Sequence, residues 1–405
     1  MPEIQGTVSV MIWSPYYCTL IIFCIFEINS KILSLVAKKY SSELGILSLV
    51  YSYLCPKYRC RIMKKNLPVF LFVVMMCRSF SLSAQLVSMS EWMSHVSDTV
   101  SISSMSIPGT HDAATGEGML SLPGFGVTQT LGLKEQWRCG VRAFDLRSAV
   151  KDTLLYIYHG KLRTKVSFAE ALDILCAKLR RYPSEFAVVL LREESDSENE
   201  KERASWPSLV GRAIQEIGDR ATVFSPDMKV ADARGKILFL TRSAYKGTEK
   251  GALLTGWNHS KDGSINARII SYANGKEARL QVQDYYAPTD ARKRAVKQDA
   301  VKRYLALAAR APMGVWTMNF LSGYYSTWLG FTSLATTSGY KRNAAWLHPV
   351  VLESCKNDGR PMGIVFMDYA GVDKVGGGLW HWKHFGVYGN ELVKTIIERN
   401  FCQAE

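Results

Sequence analysis

The feature that most constrains the fold is a series of short apolar runs, most of them rich in Val, Ile, Leu and Phe, each stopping at a polar or ionisable residue. They lie at 102–107, 142–146, 154–158, 186–191, 236–241, 279–283, 314–318 and 363–367. Runs this short, apolar on successive residues, suit strands buried on both faces of a parallel sheet. Helices separate several of them. Residues 167–181 form the clearest, with Ser167 and Glu170 in capping-box spacing and Pro183 just beyond the end. Two more are expected at 290–309 and 391–399, and a short one at 90–100. Segments 193–207 and 243–278 read as loops, the second with room for a hairpin. Nothing after residue 85 marks a repeat or a linker. Eight strands in one α/β domain predict a single irregular TIM-type (β/α)8 barrel. Only residues 147–153 separate the second and third strands. That is too short for a crossover, so the barrel is locally antiparallel or distorted there.

The amino-terminal part reads differently. From Met63 the chain has Lys64 and Lys65, an 11-residue apolar stretch at 67–77, then small residues up to Ser83 and Ala84. This is the layout of a secretory signal peptide, and the apolar stretch is too short to span a bilayer. The expectation is therefore a signal at 63–84, a mature domain at 85–405, and an upstream segment 1–62 that is a mis-called start or a membrane-anchored extension.

The composition, 47% hydrophobic and 21% charged, is that of a globular chain. Of the net charge of +14, six units fall in residues 1–84, where nine Lys/Arg face three Asp/Glu, leaving +8 for the rest. A basic surface favours anionic partners such as acidic lipid headgroups. Cys139, Cys176, Cys355 and Cys402 remain after residue 84 and show no CxxC spacing, so a zinc site has no support; their disulfide state stays open.

The chemistry lies at the strand ends. The first run leads into Pro108-Gly109-Thr110-His111-Asp112, the second leads through Asp145 to Arg147, the third ends in His159. Arg192, Arg242, Asp284 with Tyr286, Asn319 and Asp368 follow the next five. In a barrel those ends share one rim, where active sites are built. Two imidazoles, several arginines and carboxylates, in a chain with seven His, suit phosphoryl transfer without a metal. The imidazoles act as base and acid, and Arg147 forks onto phosphate. His381 and His384, in HWKH, have no further ligands in view and are a poor metal site.

The runs SIPGTHDAAT (106–115), GVRAFDLR (140–147) and YHGKL (158–162) resemble the catalytic X region of phosphatidylinositol-specific phospholipases C, the bacterial branch in particular. The stretches YPSEFAVVLLREE, ARGKILFLTR, LQVQDYY and GIVFMDYAG continue the match in order, so that it covers residues 100–371. The resemblance implies a distorted TIM barrel that cleaves phosphatidylinositol by attack of the inositol 2-hydroxyl, giving diacylglycerol and inositol 1,2-cyclic phosphate, with no cofactor. It implies His111 as general base paired with Asp368, His159 as general acid assisted by Asp112, and Arg147 on the phosphate, where eukaryotic relatives bind calcium. Arg192, Arg242, Asp284 and Tyr286 stand at headgroup-binding positions, although lysine is frequent in the family where Arg192 stands here. The implied partners are a phosphatidylinositol or glycosyl-phosphatidylinositol headgroup and, transiently, a membrane surface, with no nucleic acid, for an exported monomer of bacterial source. Aromatics at 320–331 and the glycine-rich 120–133 are candidate membrane contacts. Two other readings remain: a metal-dependent glycerophosphodiester phosphodiesterase, and a catalytically silent inositide-binding module.

Overall fold

A computed structural model describes residues 88–120, 125–194, 200–258, 260–286, 291–323, 337–356, 359–376 and 384–401. The expected signal, the upstream segment, Cys402, His381, residues 324–331 of one candidate membrane loop and residues 121–124 of the other lie outside the described residues.

Eleven strands form one sheet: β1 (Ser106–Thr110), β2 (Ala143–Lys151), β3 (Leu154–His159), β4 (Leu162–Ser167), β5 (Ala187–Glu193), β6 (Ile237–Thr241), β7 (Ala252–Thr255), β8 (Ser264–Ser271), β9 (Glu277–Gln283), β10 (Val315–Phe320) and β11 (Gly363–Met367). Pairing of β1 with both β11 and β2 closes nine of them into a barrel. The neighbours β2, β5, β6 and β7 run parallel, as do β9, β10, β11 and β1; the one reversed strand is β8, between β7 and β9. A two-stranded ribbon, β12 (Val375–Gly376) and β13 (His384–Phe385), lies apart from the barrel.

The helices are α1 (Leu133–Arg138), α2 (Phe168–Arg181), α3 (Glu200–Glu216), α4 (Val230–Ala233), α5 (Ala291–Ala308), α6 (Thr337–Cys355) and α7 (Gly389–Glu398). On α2, Ser167 Oγ accepts from the Glu170 N–H while the Glu170 carboxylate accepts from the Ser167 N–H, and Phe168, Ala171, Leu172, Leu175 and Leu179 form the buried stripe.

The irregularity expected between the second and third runs is an antiparallel hairpin. Asp152 and Thr153, both at positive φ, turn β2 into β3. The third expected strand is therefore an arm of an extension, β3–β4, outside the closed barrel. The segment 243–278 holds β7 and β8. Segment 193–207 holds the start of α3, whose polar residues face solvent while Trp206, Val210 and Ile214 are buried. The first run begins as a 3-10 turn, and its strand starts only at Ser106; the helix expected at 90–100 is a single 3-10 turn, Trp92–His95.

The end of the barrel opposite the site is sealed by a buried cation. Arg142 is fully buried, bonds the Glu185 carboxylate at 2.7 and 2.9 Å, stacks 4.0 Å from the Trp137 ring centroid, and donates to the carbonyls of Met89, Ser90, Trp137 and Val141. Burial lowers its pKa to about 10, still protonated at neutral pH.

Candidate active site

The carboxyl ends of β1, β2, β3 and β11 deliver the reactive groups. Gly109 is needed for this approach: a Cβ there would meet Phe366 at 2.9 Å and Ala143 at 3.0 Å, so a side chain would force β1 away from β11 and β2. The next turn is anchored through its backbone. The His111 N–H donates to Met367 O, and Gln129 Nε2 donates to both His111 O and Met367 O, fastening the ends of β1 and β11 together. Asp112 follows in the left-handed region at φ 45°, which Asp tolerates better than most residues. Phe320 and Phe366 stack at 4.7 Å, and Phe320 meets the His111 ring edge-on at 6.4 Å, an aromatic floor beneath the imidazole.

His111 Nδ1 lies 2.8 Å from Asp368 Oδ1, and Nε2 lies 2.8 Å from Arg147 Nη2. A guanidinium has only donors, so Nε2 presents its lone pair and the ring hydrogen sits on Nδ1, toward Asp368. Burial, then the positive charge of Arg147, holds His111 well below the usual histidine range and keeps it neutral. Burial, then the Asp112 charge, pushes Asp368 up; Lys297 and Arg147 act against that rise.

His159 is also held through Nδ1 and turns its Nε2 to the site. Its Nδ1 is 2.7 Å from Gly126 O, which can only accept, so Nδ1 carries the hydrogen. Nε2 faces Asp112 Oδ2 at 3.2 Å and the Tyr340 hydroxyl at 3.2 Å. Asp112 Oδ2 thus sits between the imidazoles, 3.1 Å from His111 Nε2 as well, and the rings are 6.2 Å apart. Burial raises the pKa of Asp112, against the pull of Arg147 and His159.

His111, Asp112 and Asp145 offer one ligand atom each within 4.8 Å of one another, a spacing a cation can use. The Arg147 guanidinium already lies on that group. Nε is 2.9 Å from Asp112 Oδ1, and Nη2 is 3.1 Å from Asp145 Oδ2 and 2.8 Å from His111 Nε2. Burial works against its charge, but Asp112, Asp145 and Glu194 outweigh burial and keep it protonated. The donor set fits a guanidinium, with one neutral nitrogen and two carboxylates around a planar fork.

The four expected headgroup residues lie nearby, though not all as free arms. Arg192, level with Arg147 across β2 and β5, is tied to Glu194 at 2.6 Å, and Glu194 also accepts the Gly160 N–H. Arg242 lies over the Trp257 ring at 4.2 Å and 4.0 Å from Asp284, whose Oδ2 accepts from Trp257 Nε1. Burial lowers the Arg242 pKa to about 10. Tyr286 sets its ring 6.1 Å from His111 and its hydroxyl 3.2 Å from that of Tyr340.

Asn319 is not a rim group. It is buried, with its amide bonded to Gln283 and to Val301 O, where it joins β10 to α5. Glu194, Trp257, Lys297 and Tyr340 escaped the sequence reading. Glu194 had a readable signal, two residues after Arg192 and just past the end of the same strand. The other three had none, since they come from a segment read as loop and from two helices.

No family model matches the chain. It is 27% identical over 289 residues to the 1-phosphatidylinositol phosphodiesterase of Listeria monocytogenes, covering 70% of this chain and 82% of that one. To the enzyme of the same name from Staphylococcus aureus strain Newman it is 25% identical over 322 residues, covering 76% and 93%. The chain is a homologue of these bacterial enzymes. Solved structures agree in fold. A phosphatidylinositol-specific phospholipase C of S. aureus superposes with a TM-score of 0.59 at 24% identity, over 77% of this chain and 97% of that one. The Listeria enzyme does so with 0.57 at 22%, over 77% and 99%.

Proposed function

We propose that the chain is a phosphatidylinositol-specific phospholipase C that works without a metal ion. The inositol 2-hydroxyl attacks phosphorus and gives its proton to His111 Nε2, whose ring Asp368 orients and whose developing charge it stabilises. The bond between phosphorus and the glycerol oxygen breaks, and that oxygen takes a proton from His159 Nε2, held meanwhile by Asp112. Arg147 turns its fork from His111 to the non-bridging oxygens, which frees Nε2 for the hydroxyl and neutralises the charge that builds on phosphate. The products are diacylglycerol and inositol 1,2-cyclic phosphate. Arg192, Arg242 and Asp284 hydrogen-bond the ring hydroxyls, and Tyr286 covers an apolar ring face. A glycosyl-phosphatidylinositol presents the same bond.

The observation that carries this reading is the Arg147 guanidinium on the three atoms a metal would use, beside two imidazoles that both turn Nε2 to Asp112 Oδ2. A silent binding module has no use for such a pair. We also place the enzyme outside the cytoplasm of a bacterium as a monomer, its signal at 63–84 removed, touching the bilayer transiently. In support, its relatives are bacterial, the S. aureus phospholipase C binds membranes, and no helix among the described residues is long and apolar enough to cross a membrane.

The test is release of water-soluble inositol phosphate from phosphatidylinositol vesicles in EDTA, for the protein from Gln85 onward and its His111→Ala variant. The parent is expected to be active and the variant at least about a hundredfold slower. Activity that EDTA abolishes and a metal restores would favour the metal-dependent phosphodiesterase instead.

A further inference from the structure

Beneath the site lies a buried charge with no part in the steps above. Lys297, on the core-facing side of α5 with Ala300, Val301 and Tyr304, is 1% exposed. Its ammonium donates to Phe320 O at 2.6 Å and to Gln283 Oε1 at 3.3 Å, at the carboxyl ends of β10 and β9. No carboxylate lies within ion-pair distance of it among the described residues.

The two oxygens that Lys297 holds each have a second donor. Phe320 O also accepts from Gln283 Nε2 at 2.7 Å, and Gln283 Oε1 also accepts from the Tyr285 N–H at 2.7 Å. Removing the ammonium therefore leaves neither oxygen without a donor. A buried charge paired only with neutral acceptors is costly to desolvate. What it gains in return lies in the site: the carboxylates that feel its charge are Asp284, after β9, and Asp368, after β11. Phe320, whose carbonyl it holds, is the ring packed edge-on to His111.

We propose that Lys297 is a positioning residue for the general base, holding the carbonyl of Phe320, the ring that packs against His111, and setting a buried positive charge at the carboxyl ends of β9 and β10 beneath the site. This rests on the assignment of His111 as base. The groups facing His111 are Arg147 from β2, His159 from β3, Arg192 from β5, and the carboxylates Asp112 and Asp368. Of the cations, Arg147, His159, Arg192 and Lys297 all resist its protonation. Lys297 also lowers the pKa of Asp368, opposing burial and Asp112. Burial brings the Lys297 pKa itself down to about 7.

The signs follow. Without the cation, His111 binds a proton more readily, so the acid limb of kcat/KM moves to higher pH. Because the folded protein holds the Lys297 proton less tightly than the unfolded chain does, the lysine destabilises the fold most below pH 7 and least above the ordinary lysine range. The experiment is the pH profile of phosphatidylinositol cleavage, with thermal unfolding, for the full mature chain and for Lys297→Met and Lys297→Gln. The expected result is a tenfold or greater loss of kcat near pH 6 with KM within about threefold, an acid limb raised by at least half a pH unit, and a Tm gain for the Met variant that is larger at pH 6 than at pH 9. A folded variant with wild-type kcat, or one whose kcat falls at every pH with an unmoved limb, overturns the proposal. Two variants that both fail to fold overturn it too, since the lysine would then be structural. His111→Ala, measured alongside, separates the two claims: near-normal activity there defeats the base assignment, whatever Lys297 does.

Discussion

At the scale of single residues the site depends on which hydrogen each polar atom holds. Gly126 O holds the Nδ1 hydrogen of His159 and Asp368 that of His111, so both imidazoles turn Nε2 to the site before any substrate arrives, one toward Asp112 and Tyr340 and the other toward Arg147. Arg147 is the hinge of this arrangement because it touches both carboxylates and the base at once. A lysine supplies the charge but not the fork. Arg147→Lys is therefore expected to lower kcat about a hundredfold with KM little changed, as steady-state kinetics on vesicles in EDTA will show. Activity restored to that variant by calcium would mean that the three ligand atoms prefer a metal once the guanidinium is gone. Most of these residues were legible in the sequence because PGTHD, FDLR and YHG place them at strand ends. What the sequence does not contain is mutual attachment: that Arg192 is held by Glu194, that Arg242 rests on Trp257, or that Tyr340 reaches His159 from a helix far along the chain.

At the scale of elements, legibility followed the strength of local signals. The α2 helix was read to within a residue because its capping box and apolar stripe are both local. Ser167→Ala is expected to cost about 1 kcal/mol in chemical denaturation while leaving kcat/KM unchanged, since the cap is exposed and turned away from the site. The start of α3 was read as loop because its first residues, Glu200 to Arg203, are charged, and only tertiary packing of Trp206 under β2, where its indole donates to Ser148 O, gives it an inner face. The strands β7 and β8 form the hairpin for which segment 243–278 had room, though their bounds were not legible. They alternate buried residues with part-exposed or exposed ones, and β8 pairs antiparallel with both β7 and β9 instead of lying between parallel neighbours. The β3–β4 arm shows how a strand can be found and yet misplaced: its residues were right, but only pairing could show that it extends β2 instead of entering the ring.

At the scale of the whole molecule, the barrel separates stability from chemistry. Its amino-terminal end is closed by Arg142, Glu185 and two tryptophans in a fully satisfied buried network, and its carboxyl end holds charges that are strained, crowded and shifted in pKa. Seven of the eight expected runs are parallel strands of the ring, β1, β2, β5, β6, β9, β10 and β11, legible because most are apolar on successive residues. The closure of the ring was expected from the strand count and the family resemblance rather than from any local pattern, and it is made by β1 meeting β2 and β11 together. The central claim is that this frame holds two imidazoles and a guanidinium to drive attack by the substrate's own hydroxyl, with no metal. Phosphorus NMR of phosphatidylinositol cleavage in EDTA tests it most directly. The account expects a five-membered cyclic phosphodiester as the first soluble product, with any acyclic inositol phosphate appearing only later. An acyclic phosphate formed from the start, with no cyclic precursor, would contradict it.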